Sequence, residues 1–587
     1  MNPRLGWRLA LTGILAVMMG GCSLSAFQET PTPTIDLFAA LTALAPTPDP
    51  ALTTADRDPD PQTAPTTAPD AAPSATPEML RFWVAPYLPE TITQGLVAPV
   101  ALETVSEKER AHLWLEVSSE GLPVSSLVYA LVAPFPVLRD GASFADLEQS
   151  WRGGPTGDFS NGNLYLTERT LNIFSMLWGP PQSSFVRTVS EEELLGVVWA
   201  NAPAWSLVPF DRLRPEWKVL AVDGLSPLSK DFDPAAYSLS VPITLSGVDA
   251  GLLPPVADAL AAALPAAVNR NPDQLTTVVL TGVTALVRAT AFDMENKGIL
   301  HPAGELGPML RAADILHISN EVPFAEGCPP PKPVSDRLVF CSDDRYIELL
   351  EDIGTDVVEL TGDHFSDWGT AATLHTFDLY DAEGWQYYGG GRTPEQGRLP
   401  ITMEHNGNKI AFIGCNGKGG SYTPSTIGQP GAVDCDFDLI ESEIGRLKEE
   451  GYMVIMTFQH HETYAFTPPP KLISEFIFTA DAGADIVSGS QAHQPHGMTF
   501  HKGSTVMYGL GNLFFDQLLN SEDTSRALVA RHIIYAGRHI STEIITIYFA
   551  DFSKPLYLEG DGRRRLLEQV FDASEWGELN YPYSRPI

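Results

Sequence analysis

The chain has 587 residues and carries 73 Asp and Glu against 37 Lys and Arg, for a formal net charge of −36. This length exceeds what one hydrophobic core usually serves, so two or three domains are expected. The acidic surface repels nucleic-acid phosphates, which argues against DNA or RNA as a partner. We interpret the acidity as a means of keeping the protein soluble.

The first residues have the pattern of an export signal. Arg4 and Arg8 form a positive segment, and an apolar run over 9–19 is too short to span a bilayer comfortably. Two glycines then precede Cys22. The segment 1–22 resembles a bacterial lipoprotein signal, which implies lipid on Cys22 and a place on the extracytoplasmic face of the cell membrane. An ordinary secretory signal or an uncleaved anchor is the alternative.

Two different segments follow the signal. Residues 23–78 are rich in Pro, Thr, Ala and Asp and cannot bury a core, so a disordered tether is predicted. Residues 79–270 alternate helical and strand signals, such as the apolar run Leu127–Val132, which predicts an α/β domain. Short motifs, among them Ser143–Leu147 and Trp205–Phe210, resemble type 2 periplasmic binding proteins. The resemblance implies a bilobed fold that binds a small ligand, and a degenerate lobe acting as a spacer is the alternative.

From about residue 271 near-continuous apolar runs alternate with helical patterns. This rhythm predicts a buried, largely parallel sheet in an α/β domain over 271–587. The predicted strands are Thr277–Leu286, Ile315–Ser319, Asp356–Leu360, Lys409–Ile413, Met453–Phe458, Ala484–Ser488 and Val506–Leu510. The clearest helical patterns between them are Tyr346–Asp352 and Asp438–Glu450.

Side chains that can bind a metal follow these strands closely. They are Asn320, Glu321, Asp363, His364, His460, His461, Glu462, Gln491, His493, His496 and Asn512. Ligands gather at the carboxyl ends of parallel strands, so such residues can converge although they are far apart in sequence. A mixed set of imidazole, carboxylate and amide groups suits Mn, Fe, Zn or Mg. Two such ions could clamp a phosphoryl group and activate a water.

An ordered set of motifs covers roughly 275–520. They are Ser319-Asn320-Glu321-Val322-Pro323, Thr361-Gly362-Asp363-His364-x-x-Asp367-Trp368-Gly369, Tyr388-Gly389-Gly390-Gly391, Phe458-Gln459-His460-x-Glu462, Gly489-Ser490-Gln491-Ala492-His493 and Tyr508–Phe515. In order and spacing the set resembles the CapA/PgsA family of capsule and poly-γ-glutamate synthesis. The resemblance implies a four-layer α-β-β-α sandwich of the calcineurin-like metallophosphatase type. It also implies an anionic cell-surface polymer, or its precursor, as the partner.

The resemblance assigns roles residue by residue. The expected ligands of one or two divalent ions are Glu321, Asp363, His460, Gln491 and His493, and the expected general acid is His364. The first strand of the family ends in Gly-Asp, whereas this chain has Gly282-Val283 and lacks that carboxylate. One ion, or none, is therefore the alternative to two.

Several of these residues also have an ordinary structural interpretation. Glu321 could be a loop carboxylate bonded to backbone amides. Asp363 could cap a helix that starts near Phe365. The segment Asp367-Trp368-Gly369 is interpreted as structural, with a buried Trp followed by a turn.

Four cysteines remain beyond the signal: Cys328, Cys341, Cys415 and Cys435. Export implies a compartment that permits disulfides. Four cysteines allow three pairings, and short loops favour Cys328–Cys341 and Cys415–Cys435. Free buried thiols are the alternative.

Two functions are compatible with the sequence. The first is a membrane-anchored protein of capsule or poly-γ-glutamate biosynthesis that acts as a metal-dependent hydrolase. The second is a non-catalytic polymer-binding or export accessory that uses the same fold as a scaffold. His364, His460 and His493 favour the first, whereas the missing carboxylate at position 283 favours the second.

Overall fold

A computed structural model describes residues 79–88, 102–182, 184–263, 269–334, 337–518, 520–574 and 576. The predicted signal, Cys22 and the predicted tether over 23–78 lie outside the described residues. Within the described ranges, no helix combines the length and the apolar character that a membrane span requires.

The N-terminal part of the described chain forms one mixed sheet of ten strands. The strands are β1 (Leu80–Val84), β2 (Leu102–Thr104), β3 (Leu113–Val117), β4 (Leu122–Pro134), β5 (Gly141–Ala142), β6 (Asn163–Leu166), β7 (Val186–Thr188), β8 (Ala204–Pro209), β9 (Trp217–Val222) and β10 (Ser240–Gly247). Their order is β2-β1-β3-β10-β4-β8-β6-β7, with β9 paired to β4 and β5.

Four helices accompany this sheet. They are α1 (Phe144–Arg152), α2 (Glu168–Trp178), α3 (Glu191–Ala200) and α4 (Leu253–Ala263). The first three begin at Ser143, Thr167 and Ser190, whose hydroxyl oxygens accept the backbone N–H three residues on. Such caps satisfy donors that the first helical turn leaves open, which fixes where each helix starts.

The C-terminal part contains two further large sheets. The strands of the first are β11 (Leu275–Thr284), β12 (Ile315–Asn320), β15 (Val357–Glu359), β16 (Gln386–Tyr388), β25 (Asn512–Phe514), β26 (Arg526–Tyr535), β27 (Arg538–Phe549) and β28 (Pro555–Tyr557). The strands of the second are β18 (Ile401–His405), β19 (Asn408–Asn416), β21 (Met453–Gln459), β22 (Ile486–Gly489), β23 (Met498–His501) and β24 (Ser504–Met507). Short pairs are formed by β13 (Phe324–Ala325) with β14 (Ser342–Asp343) and by β17 (Gly390–Gly391) with β20 (Gly431–Ala432).

Each large sheet has a parallel centre and antiparallel additions. The orders are β16-β15-β12-β11-β26-β27-β28, with β25 beside β11, and β18-β19-β21-β22-β24-β23. The strand rhythm predicted a buried, largely parallel sheet, and the structure has two sheets with parallel centres and antiparallel strands at their edges. The long strands β26 and β27 pair antiparallel, and their alternating patterns were not recognised as strands.

Eight helices belong to the described part of this region. On the outer face of the first sheet pack α5 (Arg288–Lys297), α6 (Gly307–Arg311), α7 (Ile347–Asp352) and α8 (Gly369–Glu383), and on that of the second sheet pack α10 (Phe437–Glu449) and α11 (Pro470–Asp481). The short helix α9 (Pro394–Arg398) lies beside β17, and α12 (Gly560–Asp572) packs in the core that the sandwich shares with the N-terminal sheet.

Alternation along the strands explains the layering. On β11, Val278 belongs to the same core as Phe412 of the second sheet, whereas Val279 packs with Leu310 of α6. Successive strand residues point to opposite faces, so each central strand buries one side against the other sheet and one against helices. The outer face of the second sheet packs on α10 and α11. The four-layer α-β-β-α sandwich expected from the resemblance is confirmed.

The N-terminal part packs directly on this sandwich. The ring centroids of Phe135 and Phe500 lie 5.1 Å apart, and those of Phe210 and Tyr535 lie 5.0 Å apart. Edge-to-face aromatic pairs of this kind stabilise the contact by more than the buried area alone provides. One continuous hydrophobic core therefore joins the N-terminal sheet to the sandwich.

Two disulfides close loops on the sandwich, Cys328–Cys341 and Cys415–Cys435. The second joins β19 to the segment before α10 across a separation of 20 residues. We expect the double variant Cys415→Ala/Cys435→Ala to lose about 3 kcal/mol of unfolding free energy, because the unfolded chain regains the entropy of that loop. Urea denaturation under oxidising conditions measures this loss. Equal midpoints for the variant and the wild type would contradict it.

Candidate metal centre

The carboxyl ends of four parallel strands deliver the predicted site residues. Glu321 directly follows β12, and Asp363 and His364 follow β15 by four and five residues. His460 is the first residue after β21, and the segment with Gln491 and His493 follows β22. β12 and β15 belong to the first sheet and β21 and β22 to the second, and within each sheet parallel strands end at the same edge. The backbone N–H of Asp363 donates to Gln459 Oε1, so the loops of the two sheets meet along one rim of the sandwich.

Three of the residues form the centre of the cluster. Ligand atoms of Glu321, Asp363 and His364 all lie within 4.8 Å of one another. Burial raises the pKa of Glu321 to about 7; the charges of His493 and His364 oppose this rise, and that of Asp363 adds to it. Two buried carboxylates at this spacing cannot both be ionised without a cation nearby.

Four of the predicted ligands have an unused donor atom. Among the described residues, Glu321 Oε2, Asp363 Oδ1, His460 Nδ1 and Gln491 Oε1 are buried and have no hydrogen-bond partner. A buried polar atom left in this way costs roughly 1–3 kcal/mol. Oxygen and imidazole donors of this kind fit a divalent ion such as Mn, Fe, Zn or Mg.

The two candidate histidine ligands are oriented by their other ring nitrogen. His460 Nε2 lies 2.7 Å from Glu475 Oε2, and His493 Nδ1 lies 2.9 Å from Asn512 Oδ1. Metal-binding histidines usually donate this second N–H to an oxygen, which fixes the ring and its tautomer. His460 Nδ1 and His493 Nε2 are therefore the nitrogens that can face an ion.

His493 Nε2 already faces a carboxylate. It lies 3.3 Å from Glu462 Oε1. The hydrogen bond from His493 lowers the pKa of Glu462 to about 2. Burial disfavours the protonated form of His493, but the hydrogen bond to Glu462, the charges of Glu321 and Glu462 and the hydrogen bond to Asn512 together outweigh burial and raise the pKa of His493. An ion on His493 therefore has to replace a proton that Glu462 stabilises.

His364 lies between two carboxylates. Its Nδ1 lies 2.7 Å from Asp367 Oδ2, and its Nε2 lies 4.0 Å from Glu321 Oε1. Burial disfavours the imidazolium, but the hydrogen bond to Asp367 and the charges of Glu321 and Asp363 outweigh burial and raise the pKa of His364 to about 9. The ring is thus protonated at neutral pH, as a general acid must be.

The structure adds Lys418, which the sequence analysis missed. Its Nζ forms an ion pair with Asp363 Oδ2, and only 11% of its side chain is exposed. Burial disfavours the ammonium, but the charge and hydrogen bond of Asp363 together with the charges of Glu462 and Glu321 outweigh burial and raise the pKa of Lys418. Lys418 belongs to no quoted motif. Its place two residues after β19 was the signal that could have identified it.

Two interpretations of the loop before α8 were wrong. Trp368 is 42% exposed rather than buried, and Asp367 binds the His364 ring instead of only shaping a turn. Helix α8 begins at Gly369, so Asp363 does not cap a helix near Phe365. Side chains in a loop that follows a strand can contact residues of other loops at the same rim. The local sequence does not show which residues those are.

Position 283 contributes no ligand. Val283 lies at the end of β11 and is buried in an apolar cluster with Val322, Phe340 and Phe515. The side of the rim next to β11 is therefore apolar where the resemblance leads one to expect a carboxylate.

Comparison with known proteins agrees with this geometry. Residues 277–517 match the family described as "Bacterial capsule synthesis protein PGA_cap". The chain is 23% identical over 319 residues to "Capsule biosynthesis protein CapA" of Bacillus anthracis, covering 54% of this chain and 77% of that protein. It is 22% identical over 213 residues to "PGA biosynthesis protein CapA" of Bacillus subtilis (strain 168), covering 36% of this chain and 55% of that protein. The second match thus spans about half of that relative.

Solved structures are similar only in part. An ABC-type phosphate transport receptor from Vibrio cholerae has a TM-score of 0.27 and 11% identity, covering 31% of this chain and 93% of that one. Haemophilus influenzae NAD nucleotidase (NadN) has a TM-score of 0.28 and 11% identity, covering 51% and 57%. These scores are low, and the fold assignment rests on the sheet order and the layered cores. The segment that matches the bacterial capsule synthesis protein family contains every residue of the candidate centre.

Proposed function

We propose that the protein is a membrane-anchored, extracytoplasmic, metal-dependent hydrolase that acts on a capsule polymer, on poly-γ-glutamate, or on a precursor of either. The names of its two relatives support the polymer class. The lipoprotein-like segment that ends at Cys22 supports the location. In this proposal residues 79–270 are a binding-protein-like domain, packed on the sandwich, that holds the ligand or spaces the sandwich from the membrane.

The observation that carries the proposal is the set of unused donors. Glu321, Asp363, His460 and Gln491 each have a buried polar atom without a partner among the described residues. Such atoms are costly unless a cation uses them. Glu321 and Asp363 lie together with His364 within 4.8 Å, and the proposal adds His460, Gln491 and His493 Nε2 as further donors. A divalent ion bound there would supply Lewis-acid activation of a water and of the scissile bond.

The protein's own contribution to the reaction is proton donation. His364 is protonated at neutral pH, and Asp367 holds its Nδ1 so that Nε2 faces the cluster. The leaving oxygen or nitrogen takes the Nε2 proton as its bond breaks, which removes the need to expel an unstable anion. Neutral His364 then recovers a proton from solvent for the next cycle.

Metal content tests this proposal. After dialysis with Mn²⁺ or Zn²⁺ and removal of free ion, elemental analysis should find metal in the wild type. Asp363→Ala and His460→Ala should lose it, because each removes a donor. The matched control is His461→Ala, whose side chain is exposed next to His460 and should leave the metal content unchanged. A metal-free wild type after loading would end the hydrolase proposal, and a panel of phosphodiester and γ-glutamyl substrates would otherwise define the bond.

A non-catalytic role is the second candidate. It is favoured by the apolar cluster around Val283, which removes one expected ligand from the rim. A scaffold needs the folded sandwich and its rim but no turnover. It would bind the polymer equally well after His364→Ala, and a sedimentation or retention assay with purified polymer measures this.

A further inference from the structure

The carboxylates of the centre need compensating charge. Each carboxylate lies near one basic side chain. The pairs are Glu321 with His364, Asp363 with Lys418 and Glu462 with His493. Only 2% of the Glu321 side chain and 3% of the Asp363 side chain are exposed. Water can therefore screen little of their charge, and cations must be held close to them.

Hydrogen bonds of the loop after β19 position Lys418 next to Asp363. Asn416 Oδ1 accepts the backbone N–H of Lys418 at 2.8 Å, and Asn416 Nδ2 donates to Thr361 O at 2.7 Å. The backbone that carries the lysine is thus tied to the loop that carries Asp363. The ammonium also lies 4.9 Å from the centroid of the Tyr422 ring, where a cation–π contact stabilises it.

The two oxygens of Asp363 are used differently. Oδ2 pairs with the Lys418 ammonium, whereas Oδ1 is buried and has no partner in the described part of the chain. Glu321 Oε2 is left open in the same way. Asp363 thus uses one carboxylate oxygen for the Lys418 ammonium and has the other oxygen available for a further cation.

We infer that the Lys418 ammonium permanently fills one of two cation positions on Asp363, so that the centre takes a single divalent ion. The inference rests on the proposed function only in that the other position binds a metal. An ammonium supplies positive charge and N–H donors but no open coordination position. It can therefore hold an anionic oxygen of a ligand, such as a phosphoryl or carboxylate oxygen, but cannot activate a second water.

The test compares Lys418→Met with the wild type and with Lys471→Met. Lys471 is the matched control, because it pairs with Glu475, which in turn binds the candidate ligand His460. Elemental analysis with Mn²⁺ should find one ion in the wild type and in Lys471→Met. Lys418→Met should take up a second ion, and anomalous diffraction should place it on Asp363 Oδ2.

Three results would overturn the inference. They are two ions in the wild type, no additional ion in Lys418→Met, or an equal gain in Lys471→Met, which would indicate only a general charge effect. A wild type without metal beside a Lys418→Met variant that binds one ion would instead refute the hydrolase proposal and the single-ion count, and would keep only the part of the inference that Lys418 fills a cation position on Asp363.

A measurement on the wild type keeps the inference testable if Lys418→Met does not fold. The buried ammonium should resist acetylation by acetic anhydride both without and with Mn²⁺, since the ion takes the other position. Mass spectrometry of the digested protein reports the modification. Lys418 that becomes reactive when Mn²⁺ is added has been displaced by the ion, which would contradict the inference.

Discussion

His364→Ala is expected to lower kcat by roughly 10²–10⁴ for substrates with a poor leaving group, because it removes the proton donor. Substrates that release 4-nitrophenolate need little protonation, so for them kcat should change far less. The comparison of the two substrate classes under the same metal loading separates proton donation from a loss of the metal. An equal loss for both classes would exclude His364 as the general acid.

Asp367→Asn provides the companion test. Burial lowers the pKa of His364, but the hydrogen bond that its Nδ1 donates to Asp367 and the charges of the nearby carboxylates outweigh burial and hold this pKa at about 9. The active form is the protonated ring, so activity is present below this pKa and is lost as pH rises through it. Asp367→Asn should therefore move the basic limb of the pH–rate profile to lower pH while His461→Ala leaves it in place. An unchanged limb would mean that another group sets it.

Stability should fall steeply on acidification because of two buried histidines. His532 and His539 face each other between the sheets, with His532 Nδ1 3.3 Å from His539 Nε2. Burial lowers the pKa of His539 to about 4 and that of His532 well below its ordinary value. Both rings are thus neutral in the folded protein at a pH where the unfolded chain binds protons.

The sign follows from this difference. A lowered folded pKa gives stability that is present above the unfolded pKa of about 6.5 and is lost as pH falls towards the folded value. Together the two rings should cost about 4 kcal/mol of unfolding free energy at pH 5 relative to pH 7.5. Urea denaturation at a series of pH values between these limits measures the loss.

Matched variants assign the loss to the pair. His532→Asn/His539→Gln keeps hydrogen-bonding groups but removes both titrations, so it should lose about 4 kcal/mol less than the wild type between pH 7.5 and pH 5. Buried His317, whose pKa burial lowers to about 3, still contributes in both proteins. Thr505→Val removes a neighbour 3.4 Å from His539 Nδ1 without removing a titratable group. It should lower stability equally at every pH. The same pH dependence in the double variant and the wild type would contradict the prediction.

The sequence by itself determined the class of fold and most central strands. The predicted run Met453–Phe458 became β21, and Ile315–Ser319 became β12, each within one residue. Strands buried on both faces must be apolar at successive positions, so they can be identified from a continuous apolar run in the sequence. The family motifs could be recognised for the same reason, because they lie at or just after the ends of such strands.

Only the tertiary structure decided which charged side chains pair with each other in the site. Lys418 and Asp363 are 55 residues apart in sequence, and His460 meets Glu475 on a helix packed behind its strand. Neither pair has a local signature, because an ion pair depends on which loops meet at the shared rim. The exposed Trp368 and the hydrogen bond of Asp367 to His364 depend on the same meeting of loops. Local patterns choose strands and helices, whereas charge compensation in a buried site depends on distances that exist only after the sheets have packed.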